Sequence, residues 1–99
     1  MEFEYLSLLD VQEDCDQPRI NIWPGDKKDM EMLESISECG ILQPLIVSPV
    51  NGMETIIDGH RRFHVAKLLK FDRVPCVSLG EISKHRREVI RYKLNGINW

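Results

Sequence analysis

The chain has 99 residues, 42% of them apolar, and a formal net charge of -3, which suits one modest core and one main site and is too short for two domains. Its longest apolar run, residues 40–47, is interrupted by Gln43 and Pro44 and falls far short of the roughly 20 residues of a membrane span. Acids at Glu2 and Glu4 stand where a secretory signal would carry basic residues, so no membrane partner and a cytoplasmic location are expected.

The charge is divided unevenly. Residues 1–59 hold three Lys or Arg against 13 Asp or Glu, and residues 60–99 hold ten against three. Either the halves neutralise each other in the fold or a basic face meets a polyanion. A net acidic chain lacks the overall footprint of a DNA-coating protein, so only a local patch could meet DNA phosphates. Cys15, Cys39 and Cys76 are odd in number and lack C-x-x-C spacing, which argues against a disulfide framework or a closed zinc site.

In chain order, residues 4–11 alternate loosely through Tyr5, Leu6, Leu8 and Leu9 and read as one short strand. Residues 12–25 are rich in acids and interrupted by Pro18 and Pro24, a long loop of the kind that often walls a site. Asp26 can cap a helix over residues 27–39, with Met30, Leu33 and Ile36 at three-residue spacing and Gly40 as the left-handed stop. Leu45-Ile46-Val47 reads as a buried strand, Asn51-Gly52 as a hairpin turn and residues 54–57 as the partner strand. Phe63, Ala66 and Leu69 then mark one face of a helix over about residues 60–69. Residues 74–79 form a further strand, in which Pro75 predicts an edge position or the first residue. Ser83 can cap a last, basic helix over about residues 83–94. The mixture is α+β, with a mixed sheet and about three helices.

The turn Asp58-Gly59-His60-Arg61-Arg62 carries the chemistry. A strand that delivers its last residue into a helix N-terminus presents backbone N–H groups and the positive end of the helix dipole, which attract phosphate. Gly59 permits the tight turn, and Arg61 and Arg62 offer guanidinium forks that match phosphate oxygens. Asp58 could hold magnesium or accept a hydroxyl proton, and His60 could bond phosphate or act as an acid or base. By spacing alone, the same five residues also describe a solvated helix start.

Three separated motifs weigh the first reading more heavily. Gln17-Pro18-Arg19, then Gly40-Ile41-Leu42-Gln43-Pro44-Leu45-Ile46-Val47, then Asp58-Gly59-His60-Arg61-Arg62 with Ala66-Lys67 resemble, in order and spacing, the N-terminal domain of ParB partition proteins. The resemblance covers about residues 5–79. It implies a ParB/sulfiredoxin-like fold across residues 1–99, with a core at about 5–79 and the basic helix appended. It also implies that a G-E-R-R turn holds nucleotide phosphates, that the G-x-L-Q-P segment lines the same pocket, and that CTP is used with Mg2+. On that basis Gly59, His60, Arg61 and Arg62 match the phosphate turn, Gln17 and Arg19 match loop residues that handle the nucleotide, and Gln43 and Pro44 match the pocket wall. Asp58, His60 and Gln17 become the catalytic candidates.

The sequence departs from the family in three places. His60 replaces the glutamate of G-E-R-R and makes the turn similar to the D-G-H turn of free-serine kinases in the same superfamily, so CTP and ATP both stay open. Of the family's E-N-x-x-R motif only Asn95 is present, the sole candidate magnesium ligand it supplies. No helix-turn-helix domain is expected, because few residues follow the last helix; DNA contact would rest on the basic half or on a domain elsewhere, and a protein partner or self-dimer is expected. Sulfiredoxin's G-C-H-R nucleophile has no counterpart, since Gly59 stands at the cysteine position.

Other features have sharp and plain readings. His60 and His64 share the spacing of a metal site but lack the glutamate of H-E-x-x-H. Glu13, Asp14 and Asp16 offer a base or a magnesium ligand, or a solvated run. Lys84, Arg86, Arg87, Arg91 and Lys93 form a stripe that either meets nucleic-acid phosphates or faces solvent while Ile82, Val89 and Ile90 turn inward. Trp23 and Trp99 read as packing residues rather than base-stacking ones. Three functions compete: a nucleotide-binding switch or clamp in DNA partition or regulation, a small-molecule kinase or nucleotide hydrolase, and a non-specific DNA-binding or nuclease module.

Overall fold

The computed structural model describes residues 3–13 and 27–98, the last four by backbone alone. The first strand, β1 (Glu4–Ser7), does not run on as the alternation predicts. Ser7 breaks it: its hydroxyl accepts a bond from the Leu9 amide at 3.2 Å and caps a 3-10 turn at Leu8–Asp10, after which β2 (Val11–Gln12) starts in a new direction. Helix α1 (Lys27–Cys39) has the predicted bounds and closes where the Gly40 amide donates to Ile36 at 2.8 Å. Then come β3 (Leu45–Val50), β4 (Met53–Asp58), α2 (His60–Leu68), β5 (Arg73–Ser78) and α3 (Lys84–Asn98). Asn51 and Gly52 both have positive φ, 53° and 83°, the condition set by a type I′ hairpin turn.

The five strands make one mixed sheet in the order β1-β5-β3-β4-β2. β1 and β5 pair antiparallel, as do β3 and β4, while β5 with β3 and β4 with β2 are parallel. Pro75 therefore lies inside the sheet, not at an edge and not first in its strand. The parallel ladder with β3 begins one residue later, at Leu45 opposite Cys76, so the missing proline N–H takes no bond from that ladder. Residues 55–58 and 74–77 are each buried in an unbroken run, the mark of strands covered on both faces.

The core joins Val11, Leu45, Val47, Ile56, Phe63, Ala66, Val74 and Cys76, and seating a side chain such as Phe63 or Leu45 there stabilises by about 1.5–3 kcal/mol. Phe63 and Ala66 fix α2 on the sheet, and this docking sets the angle at which the chain leaves β4. At the last helix, Ser83 caps through the Arg86 amide at 3.0 Å, as predicted, but α3 runs on to Asn98. Arg91 leaves the expected stripe: it is buried and its Nε donates to the Ile57 carbonyl at 3.4 Å. No helix among the described residues is long and apolar enough to cross a membrane.

Candidate functional site

The site is built where β4 hands the chain to α2. Gly59 adopts φ 104°, ψ 21°, and it has no side chain with which to cap the helix it opens; the first helical bond runs from Phe63 N–H to the Gly59 carbonyl at 2.9 Å. A Cβ on Gly59 would overlap Leu45 Cδ2 and stand 2.9 Å from Arg62 Nη2. Glycine is thus demanded twice, by backbone conformation and by the guanidinium laid against it.

The two arginines of the turn have different surroundings. Arg62 is buried. Its Nη2 reaches Asp58 Oδ2 at 3.3 Å and the Pro44 carbonyl at 3.4 Å, and its Nη1 reaches Gln43 Oε1 at 3.3 Å. Each contact is long for a charged hydrogen bond, so the guanidinium is shared among three acceptors rather than locked on one carboxylate. Its Nε is buried with no hydrogen-bond partner among the described residues. Through Arg62 the segment 40–44 is fastened to the turn, which brings Gln43 and Pro44 beside Asp58 and Gly59.

Arg61 points elsewhere. Its Nη1 lies 3.1 Å from Asp29 Oδ1, and its side chain is 44% exposed while that of Asp29 is 2% exposed. Asp29 is a site residue not singled out from the sequence, although a signal was present: it stands seven residues before Ile36, two helical turns along the same inward face of α1. A carboxylate at an inward position needs a partner, and the first turn of a helix favours its charge.

His60 is buried at the start of α2, two residues after Asp58, and both carry little exposed surface. His64, one turn on, has a partner of its own. Its Nε2 lies 2.6 Å from Glu13 Oε1, and no group of three metal-type side chains occurs among the described residues. Glu13 is therefore held on the outer face of α2. Gln17, Arg19, Asp14, Asp16, Cys15 and Trp23 lie outside the described residues, as do Trp99 and the side chain of Asn95.

Comparison with known proteins bears on this arrangement. A family model described as ParB N-terminal domain matches residues 2–92. The chain belongs to the ParB N-terminal domain family. Among curated relatives, a probable chromosome-partitioning protein ParB of Borreliella burgdorferi is 40% identical over 74 residues, covering 75% of this chain and 27% of its own length. An ATP-dependent L-serine kinase of Desulfurococcus mucosus is 31% identical over 62 residues, 60% of this chain and 24% of the kinase. The chain thus spans about a quarter of the length of the curated relatives it matches.

Solved structures agree on the ParB fold. The C-terminally truncated ParB of Caulobacter crescentus complexed with CTP-gamma-S superposes with a TM-score of 0.81 at 26% identity, covering 96% of this chain and 53% of that one. Sulfiredoxin from Arabidopsis thaliana gives a TM-score of 0.69 at 21% identity over 95% of this chain and 98% of its own, a likeness of fold alone. The α+β, ParB/sulfiredoxin-like architecture predicted from the three motifs is the one observed.

Proposed function

We propose that this ParB-like domain binds a nucleoside triphosphate at the turn after β4 and acts as a switch or clamp in DNA partition or DNA-associated regulation. The observation that carries the reading is the packing at Gly59. Arg62 folds back over the glycine, ties the turn to Gln43 and Pro44, and keeps a buried Nε donor beside the backbone. Arg61 stands half-exposed at the rim. A helix N-terminus with a glycine in place of a capping side chain, backed by two guanidinium groups, has the donors a phosphate chain requires. The ParB relative complexed with a CTP analogue supports the nucleotide assignment.

Roles divide accordingly. Gly59, Arg61 and the first turn of α2 take the phosphates; Arg62 holds the turn and the segment 40–44 in register; Gln43 and Pro44 wall the pocket, with Gln17 and Arg19 proposed to close it from the loop. Magnesium is not assigned to Asp58. Asp58 is committed to Arg62 and largely buried, so the ion would be held chiefly by phosphate oxygens and water, with Asn95 the one protein ligand proposed. Its contribution when bound is to neutralise phosphate charge.

Calorimetry with CTP, ATP and ADP in the presence of magnesium tests the assignment. A triphosphate is expected to bind, and Arg61→Ala to weaken it at least about tenfold, or about 1.4 kcal/mol. Absence of binding by all three nucleotides sinks the reading.

A second reading is favoured by Asp58-Gly59-His60 together with the serine-kinase relatives: phosphoryl transfer from ATP to a small hydroxyl substrate, with His60 beside the phosphates. Phosphoserine formation from ATP and free serine, lost in His60→Ala, distinguishes it from binding alone. DNA contact through the exposed Lys84, Arg86 and Lys93 of α3 is a third element of the proposal, and it requires binding that weakens steeply as salt rises.

A further inference from the structure

We infer that Asp29 is a positioning residue for the nucleotide site: its buried carboxylate, on the first turn of α1, holds the Arg61 guanidinium at the mouth of the turn after β4. The inference rests on the nucleotide reading above and adds to it a residue from a helix that neither the D-G-H-R-R turn nor the G-I-L-Q-P segment includes.

Three observations converge. Asp29 is a fully buried carboxyl group, an arrangement retained only where a partner compensates the loss of water. Arg61 forms an ion pair with it, Nη1 lying 3.1 Å from Oδ1. The asymmetry of exposure decides the direction of the effect. Asp29 is fixed in the α1–α2 interface, whereas 44% of the Arg61 side chain meets solvent. The immobile group therefore orients the mobile one. An arginine has five N–H donors in a planar fork, so engaging Nη1 on one side leaves donors on the opposite edge for an anion. A free arginine populates many rotamers, and restraining the guanidinium beforehand reduces what a ligand must still order. Asp29 also partly neutralises Arg61, which opposes anion binding. For a buried carboxylate at a helix N-terminus, whose charge is already balanced in part by the dipole, restraint outweighs this opposition.

The test uses the full chain. CTP and ATP binding with magnesium is measured for the parent, Asp29→Asn, Arg61→Ala and the double variant, alongside thermal melting of each. Asp29→Asn is expected to weaken binding about tenfold in the parent background and to have no further effect once Arg61 is alanine. Binding by Asp29→Asn that equals or exceeds the parent's makes the carboxylate a competitor of the ligand and overturns the inference. So does an equal loss in the Arg61→Ala background, which would mean that Asp29 acts through the packing of α1. If Asp29→Asn does not fold cooperatively, the parent alone decides: the Arg61 Nη–H protons must exchange with water more slowly than those of the exposed Arg86, and equal exchange refutes the restraint. A parent that binds no nucleotide fails the functional assignment itself, a result separable from these because the exchange measurement needs no ligand.

Discussion

Gly59 and Leu45 meet so closely that one added carbon on the glycine would overlap the leucine Cδ2. Leu45 is fully buried at the start of β3, so it cannot retreat without opening the core. Gly59→Ala is therefore expected to cost about 2–4 kcal/mol, adding a left-handed-backbone penalty to overpacking. Urea unfolding measures it, and Gly52→Ala is the control: its φ is also positive at 83°, but nothing lies within 4 Å of the added carbon. Equal losses at the two glycines would refute the contact with Leu45.

Arg62 and Arg61 should separate stability from binding. Arg62→Ala strands Asp58 in the interior and releases Gln43 and Pro44, a loss of about 3 kcal/mol that corresponds to a melting temperature lower by on the order of 15 °C. Lysine at 62 should recover little of this, having no planar fork to span three acceptors. Arg61→Ala should lower binding and should cost less in melting than Arg62→Ala, because it removes one contact, to Asp29, where Arg62 makes three. Scanning calorimetry of the three variants decides it.

Which of these relationships were legible beforehand follows from the range over which each is determined. Helix α1 ended where predicted because Gly40 stops it locally, and the hairpin formed where Asn51-Gly52 allowed positive φ. The ends of the turn after β4 were likewise local. The split of residues 4–11 was hidden because Ser7 reads equally as a strand residue and as a cap, and only the sheet order makes it a cap. Pro75 misled for a related reason: its effect depends on where β3 begins, a non-local fact. The contrasting fates of Arg61 and Arg62 depend on Asp29 and on Gln43, which lie far off in the chain. An arginine's charge is written in the sequence, whereas its burial depends on a distant partner.

Cys76 provides a pH-dependent signal. Burial first, then the nearby charges of Glu54 and Glu4, push its thiol from 9.0 up to about 11. The folded state thus holds the proton more tightly than the unfolded chain. This contribution to stability is complete below pH 9 and declines as pH rises through the window from 9 to 11. In a Cys15→Ser background, a disulfide reagent at pH 8 should label the exposed Cys39 at once and Cys76 only as fast as the protein opens. Equal labelling rates would contradict the burial.

Arg91 is expected to fasten α3 rather than to contribute to a basic surface. Arg91→Ala removes the donor to the Ile57 carbonyl and should cost about 1–3 kcal/mol, whereas Lys93→Ala, exposed two residues later, should cost under about 0.5 kcal/mol. Limited proteolysis between β5 and α3 reports the difference: faster cutting in Arg91→Ala and no change in Lys93→Ala.

The break at Ser7 has a consequence for how the molecule keeps to itself. Because the chain turns there, β1 closes one flank of the sheet against β5 and β2 closes the opposite flank against β4. A single short segment thus ends the sheet on two very short strands, β1 of 4 residues and β2 of 2, which leave a neighbouring molecule few backbone groups to pair with. Peeling it away would bare the longer β5 and β4 at once, so losing that segment would invite aggregation as well as uncover the core.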